Sequence, residues 1–531
     1  MPMAPASQQR PNFLFLIADQ LRCDHLGCYG NAIVKTPNID ALAASGWASD
    51  GCYVASPICM PNRSTLMTGR MPSVHGVRHN GIPLSLTSTT FVDRLRRAGY
   101  RTTLVGKSHL QNMAGGPATW PPHPRDRLAT EAHAPDGGRY DQEWGPSWTA
   151  NPDRELDLPY YGFDSVDLTI QHGDDLQGHY RRWLKAKDPE AEKLLGPKHA
   201  IPAPDFELTR HRQAWRTRIP AALHPNGYCT ERSIARLESY AASGDPFFLM
   251  CSFADPHHPY TPPEQYWDMY RPEDVALPRS FHAQGKAPQH VQWLYDQRDS
   301  GKAVKHTPQL FAATERETRE ALALNYGLIS FIDDCVGRIV ARLEALGLAE
   351  NTVIVFTADH GDYMGDHQLM LKGPIHYRSI TQVPLIWRDP AGAKGRRSDA
   401  FTGTIDLAPT ILGRAGVEGF NGIQGRDLQP LLRGETDSLQ DSVLIEEEGQ
   451  RPGLALPGRA RVRTLVTKRH RLTLYDGVEW GELYDRETDP DESFNLWDEP
   501  GAASIRAAMI LRLARKMVAV SETSPHPTAA A

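Results

Sequence analysis

No stretch of the chain approaches the roughly 18 consecutive apolar residues of a membrane-spanning helix. Cysteine is scarce and unpatterned. Seven residues, at positions 23, 28, 52, 59, 229, 251 and 335, make an odd set without framework spacing, which argues against a disulfide scaffold. Cys23 and Cys28 lack a second pair at zinc-site spacing and read as structural. Charge of one sign is also missing. A net charge of −6 over 531 residues is too mild for a nucleic-acid surface or an acidic tail. There is no internal repeat and no long low-complexity segment. A strongly cationic leader is absent too. Met1 to Arg10 are small and polar, and the short apolar run Phe13–Ala18 ends at Asp19, so it reads as a buried strand rather than a signal peptide. A cytoplasmic protein without membrane or nucleic-acid partners is expected.

A chain of this length can bury one large domain and a smaller one. Asn12–Ala18 is nearly continuous in apolar residues, as in a central strand covered on both faces. Phe91–Ala98 has helical spacing and stops at Gly99. Arg101–Val105, Pro246–Ser252 and Thr352–Thr357 read as further strands. Leu322–Leu346 is a long amphipathic helix, with apolar residues mostly three and four apart. Strands alternating with helices predict an α/β sheet, largely parallel, with helices on both faces. Polar residues follow four of these strands: Asp19, His109, His257 and Asp359. Ligands bind outside the carboxyl ends of such strands, so the four can converge on one site.

Cys59-Met60-Pro61-Asn62-Arg63 stands apart from this background. Proline belongs in the first turn of a helix, which places Cys59 at or next to a helix N-terminus, where backbone N–H groups and the helix dipole favour anions. Arg63 lies one turn on, on the same side. An activated nucleophile and a buried structural cysteine both fit these residues. Asp19-Gln20 and Asp359-His360, in two similar strand-end settings, are candidate metal ligands, against the simpler reading of helix caps or turn formers.

Together with Thr68-Gly69, the Cys-x-Pro-x-Arg core resembles the sulfatase family of the alkaline phosphatase superfamily. Met60 and Asn62 depart from the small residues usual there. Gly106-Lys107-Ser108-His109, Pro256-His257-His258-Pro259, and Lys372 after Gly365-Asp366-His367 match further family motifs. So does the ending Gly481-Glu482-Leu483-Tyr484-Asp485 with Asp489 to Leu496. The resemblance implies an alkaline-phosphatase-like, mostly parallel sheet sandwiched by helices, with a smaller C-terminal antiparallel sheet and helix. The implied division is a catalytic domain over 1–430, insertion-rich at 110–242, and an α+β subdomain with a tail over 431–531.

The implied chemistry is hydrolysis of a small-molecule sulfate ester. Cys59, oxidised to formylglycine by a maturation enzyme, supplies the nucleophile as its aldehyde hydrate. One divalent cation is held by Asp19, Gln20, residue 59, Asp359 and His360. Arg63 holds the nucleophile, Lys107 and Lys372 stabilise anionic oxygens, His257 protonates the leaving group, and His109 takes the proton when the hydrate collapses. Against the Asp-Asp and Asp-Asn pairs of many sulfatases, one carboxylate is swapped for an amide and an imidazole donor is added, which weakens calcium and admits manganese or a similar metal. The Asp-Gln and Asp-His pairs look like phosphonate monoester hydrolases, whereas Lys107 and His109 look like ordinary sulfatases. A non-catalytic metal-binding protein on the same fold is the alternative of a different class. A homo-oligomer is expected, with Ser521–Ala531 as a loose or docking arm. Between Leu110 and Ala242 the chain reads as loops with a helix near Asp174–Lys187, where Trp120, Trp144, Trp148, Trp183 and Trp215 either line a pocket or pack the loops.

Overall fold

The computed structural model describes residues 10–114, 136–283 and 285–529. Trp120, Met1 to Gln9, and Ala530 and Ala531 of the expected arm lie outside the described residues.

Among the described residues nine strands form the main sheet: β1 (Asn12–Ala18), β2 (Trp47–Ser49), β3 (Arg101–Lys107), β4 (Ser165–Ile170), β5 (Gln177–Gly178), β6 (Phe247–Ser252), β7 (Thr352–Ala358), β8 (Leu385–Arg388) and β9 (Arg396–Ser398). Their spatial order is β9-β2-β8-β7-β1-β6-β3-β4-β5. The five neighbours β7, β1, β6, β3 and β4 are all parallel, while β8 and β5 run antiparallel to their neighbours. Every residue of β1, β6 and β7 is buried. Successive side chains point to opposite faces, so both faces of the sheet are covered. β1 and β7 stay in register from Asn12–Thr352 to Ala18–Ala358, which brings Asp19 and Asp359 off the sheet side by side.

The helices that matter for the site are α1 (Cys59–Thr68), α2 (Phe91–Arg97), α3 (Pro225–Ser243), α4 (Glu315–Ala345) and α5 (Ala503–Ala519). α4 starts seven residues before the expected Leu322. Thr314 caps it, and the Glu317 side chain returns to the Thr314 N–H, a capping box that the apolar spacing alone does not reveal.

The described part of the segment 110–242 is more regular than expected. It supplies β4, a full member of the parallel core, and α3, which packs against α4. Asp167, in the middle of β4, interrupts the apolar run. Its carboxylate is matched by Arg232 and Arg236 of α3, at 3.1 and 2.7 Å. The helix expected from Asp174 begins only at His179, because Gln177–Gly178 pairs as β5.

A four-stranded antiparallel sheet follows: β10 (Ser442–Pro452), β11 (Arg459–Thr467), β12 (His470–Tyr475) and β13 (Gly481–Asp485), with α5 laid on it through Met509 and Leu513. The Asn495 side chain accepts the Leu483 N–H at 2.9 Å, tying the C-terminal motif to this sheet. All seven cysteines are free thiols. Among the described residues no helix is long and apolar enough to cross a membrane.

Candidate active site at the carboxyl edge of the sheet

Each of the five parallel strands ends in a polar group of one cluster. β7 delivers Asp359 and His360, β1 delivers Asp19 and Gln20, β6 leads to His257, β3 ends in Lys107, and β4 is followed by His172. α1 closes the cluster from above. Ile58, in extended conformation, is its N-cap and Cys59 its first residue, so the thiol sits where the sequence places it. All ten residues of α1 are buried, and Gly69 ends the helix in the left-handed region at φ 64°.

Asn62 is a strut. Its Nδ2 donates to Asp359 O at 2.5 Å, and its Oδ1 accepts from Ala55 N at 3.1 Å and Thr404 Oγ1 at 2.8 Å. Arg63 grips the strand ends, and its Nη2 is unpartnered. Nε donates to Asp359 Oδ2 at 2.7 Å, and Nη1 to Lys107 O and Ser252 Oγ at 3.0 and 2.9 Å.

Around Cys59 the donors converge. His360 Nε2 lies 3.1 Å from Cys59 Sγ, 3.6 Å from Asp19 Oδ1 and 3.7 Å from Asp359 Oδ1. Ligand atoms of Asp19, Cys59, Asp359 and His360 all fall within 4.8 Å of one another, and all four residues are buried. His360 Nδ1 lies 2.8 Å from Gly361 O, which only accepts, so Nδ1 carries a proton and Nε2 is the nitrogen turned toward Cys59 and the carboxylates. Gln20 is aimed at the same space by its Nε2, which donates to Asp362, while its Oε1 accepts from Lys372 Nζ at 2.9 Å. Two carboxylates, an amide oxygen and an imidazole form a donor set that suits one divalent cation. The Lys372 ammonium among them, 2.9 Å from Cys59 Sγ and 3.0 Å from His360 Nε2, shows that the space attracts positive charge.

On the other side, Lys107 Nζ donates to Asp19 Oδ2 and to His172 Nε2, the latter at 2.7 Å. The His172 and His257 rings stack at 3.6 Å, and His257 stacks on His258 at 4.1 Å. His109 lines the same pocket with its Nδ1 unpartnered. Its turn, at φ 58°, is pinned by Glu143, whose carboxylate accepts the His109, Leu110 and Gln111 N–H groups.

Burial and charge set the protonation states. Burial raises the Asp19 carboxyl, but Lys107, with His257 and His172, outweighs it and holds Asp19 well below the usual carboxylate value. Burial also raises the Cys59 thiol, and the opposing pull of Lys372, Lys107 and His360 leaves it below its ordinary value. Desolvation drives His172 down to about 4 and His109, His257 and His258 well below the usual imidazole value, with Lys107 or Lys372 adding to it. These four imidazoles are thus neutral, whereas for His360 burial and Lys372 are outweighed by Asp359 and Cys59, which raise it above the usual imidazole value.

The expected residues Asp19, Gln20, Cys59, Arg63, Lys107, His109, His257, Asp359, His360 and Lys372 therefore share one site. His172 was missed, although Gln171-His172-Gly173 after β4 repeats the strand-then-polar pattern that marks the others. Of the tryptophans, Trp148, Trp183 and Trp215 bond to Gln142 O, Glu231 and Asp174 and pack the loops. Trp144 does not line the pocket either; Trp293 does. The cavity above Cys59 measures about 760 Å³, and β10 closes one side with Glu447 and Glu448.

The sulfatase family model matches residues 11–417, and the model of the C-terminal part of N-sulphoglucosamine sulphohydrolase matches 365–519. The chain is 27% identical to an arylsulfatase of Clostridium perfringens, over 92% of this chain and 90% of that one. It is 30% identical to the multifunctional alkaline phosphatase superfamily protein PehA of Trinickia caryophylli, over 80% and 77%. The phosphonate monoester hydrolase of Agrobacterium radiobacter superposes with a TM-score of 0.75 at 25% identity, over 97% of each chain. With a family match spanning most of its length and a site built from the strand ends that the family motifs mark, the chain belongs to the sulfatase family.

Proposed function

We propose that this chain hydrolyses sulfate monoesters, using the aldehyde hydrate formed from Cys59 as nucleophile. The observation that carries the reading is the position of Cys59, at a helix N-terminus and within 3.1 Å of His360 Nε2 and 2.9 Å of Lys372 Nζ.

Asp19, Gln20, Asp359 and His360, with residue 59, would hold one divalent cation, manganese or calcium. When bound it supplies positive charge for anionic oxygens. The chain's own groups do the rest. Lys107 and Lys372 flank the space above residue 59 and bind the sulfate oxygens. Arg63 holds Asp359 in place. One hydroxyl of the hydrate loses its proton to a neighbouring carboxylate, and its oxygen attacks sulfur as the ester oxygen departs. His257 gives that oxygen its proton. Burial, with Lys372 nearby, keeps its proton affinity low, and a bound sulfate anion raises it. His109, neutral and unpartnered at Nδ1, takes the proton of the second hydroxyl, the carbon–oxygen bond to sulfate breaks, and the aldehyde returns.

A second reading, hydrolysis of phosphonate monoesters, is favoured by Gln20 and His360 in the ligand set and by the likeness to a phosphonate monoester hydrolase. Kinetics on an aryl sulfate and on an aryl phosphonate monoester decide between them. A higher kcat/KM for the sulfate supports the first reading, and a higher value for the phosphonate supports the second. Loss of both activities in Cys59→Ala is required by either. The maturation enzyme and a soluble small-molecule ester are the partners this reading calls for.

A further inference from the structure

Two acids of β10, Glu447 and Glu448, line the cavity above Cys59. Glu448 is matched by Arg78 and Arg461, at 3.2 and 3.9 Å. Glu447 has no such match. It is 2% exposed, and among the described residues its hydrogen-bonding partner is His376, whose Nε2 lies 3.1 Å from Oε2. Oε1 takes no hydrogen bond from a described residue and is not sealed from solvent, so it opens to the cavity.

His376 holds Glu447 in place without balancing its charge. His376 Nδ1 lies 2.8 Å from Thr464 Oγ1, Thr464 Oγ1 lies 2.8 Å from Thr473 Oγ1, and Arg471 Nη1 donates to Thr473 Oγ1 at 2.9 Å. A carboxylate only accepts, so Nε2 carries a proton. If Nδ1 carried one as well, the contact between the two hydroxyls would place only one of their two hydrogens. With Nδ1 bare, Thr464 donates to it and Thr473 donates to Thr464, and every hydrogen of the row has a partner. The imidazole is therefore neutral. Arg471 anchors the far end of the row, clamped by Glu492 and Glu482 at 2.6 and 3.1 Å. Glu447 is thus a rigidly held carboxylate whose charge the chain leaves for something in the cavity.

We propose that Glu447 receives a cationic group on the alcohol part of the substrate, so that the preferred ester carries an ammonium group as well as its sulfate. A buried carboxylate without a counter-charge is costly, and an ammonium brings both the charge and hydrogen-bond donors for Oε1. Trp293, Leu294, Leu310 and Leu454 line the same cavity and give the hydrocarbon between the two charges an apolar wall. Lys107 and Lys372 take the anionic end and Glu447 the cationic one. This rests on the reading of the cavity as the seat of a sulfate ester.

The test separates binding from turnover. Cys59→Ala, which has no nucleophile at residue 59, is titrated calorimetrically with meta- and para-(aminomethyl)phenyl sulfate and with their hydroxymethyl and methyl counterparts. The titrations are repeated after adding Glu447→Gln or Glu447→Ala, with circular dichroism to check the fold. At least one aminomethyl isomer should bind about tenfold or more tighter than its methyl counterpart, the scale of one charge-assisted hydrogen bond. That ratio should fall toward one in either folded Glu447 variant. Equal affinity for the aminomethyl and methyl esters overturns the proposal, as does failure of all of them to bind or a preference that survives loss of Glu447. Tighter binding of the hydroxymethyl than of the aminomethyl esters overturns it too, because a neutral donor is then the occupant. These comparisons among esters need no Glu447 variant to fold. A wild-type chain that hydrolyses none of the sulfates while the binding preference stands would sink the sulfatase reading and leave the role of Glu447 intact.

Discussion

Cys59 Sγ and His360 Nε2 stand 3.1 Å apart, although 301 residues separate them in sequence. The first opens α1 and the second follows β7, and they meet because a helix N-terminus points at the carboxyl edge of a parallel sheet. A sulfur buried among a carboxylate, an imidazole and an ammonium has an electrostatic environment unlike that of the other six cysteines. Cys23, Cys52 and Cys251 are pushed up by burial, whereas the cations at the site bring Cys59 down.

Cys59→Ala removes the nucleophile and little volume. Turnover of an aryl sulfate should fall by about 10⁴-fold or more, the scale seen when a catalytic nucleophile is deleted. The thermal midpoint should change little. Retention of a tenth of wild-type kcat would show that residue 59 does not react.

Asn62 occupies a position where the family motif usually has a small residue, and its three hydrogen bonds join α1 to the Asp359 backbone, Ala55 and Thr404. Asn62→Ala leaves those buried partners without their bonds, at about 1–3 kcal/mol for each group left unpaired. Chemical denaturation should show a loss of at least about 2 kcal/mol. A neutral result would mean that α1 is held by its apolar packing alone.

Asp359→Asn keeps the shape of the side chain and removes a charge that both the ligand set and Arg63 use. Manganese or calcium retained after gel filtration should drop from a single ion per chain toward none. Chelation of the wild type should abolish activity, and added cation should restore it. Full metal retention in Asp359→Asn would place the ion elsewhere.

His224 is fully buried at the start of α3, and desolvation lowers it to about 3, whereas it titrates near 6.5 when unfolded. Between those values the unfolded chain binds the extra proton, so stability falls as pH drops from about 6.5 toward 3. His224→Asn retains a side-chain acceptor for the Asn226 N–H, which His224 Nδ1 takes at 3.4 Å in the wild type. Over pH 4 to 6 the variant should lose about 1.4 kcal/mol less per pH unit than the wild type. Parallel stability curves would contradict the assignment.

The strands were legible where they are apolar throughout. β1, β6 and β7 lie at the centre of the sheet, and burial on both faces leaves an unbroken hydrophobic run. β4 was not legible, because Asp167 interrupts the run and its partners Arg232 and Arg236 lie 65 and 69 residues on. His172 was lost with it, since a strand-end residue is recognised only once the strand is. Strand ends and motif spacing brought Asp19, Asp359, Lys107 and His257 together. The roles of Arg63 and Asn62 were not legible, because they depend on which strand end each side chain reaches across the fold.

The central claim, that Cys59 is the precursor of the reacting group, is tested most directly by the mass spectrum of the peptide containing residue 59 from a preparation of measured sulfatase activity. The account predicts an aldehyde at that position, in a fraction that rises in proportion to specific activity. A fully active preparation carrying only the thiol would contradict it.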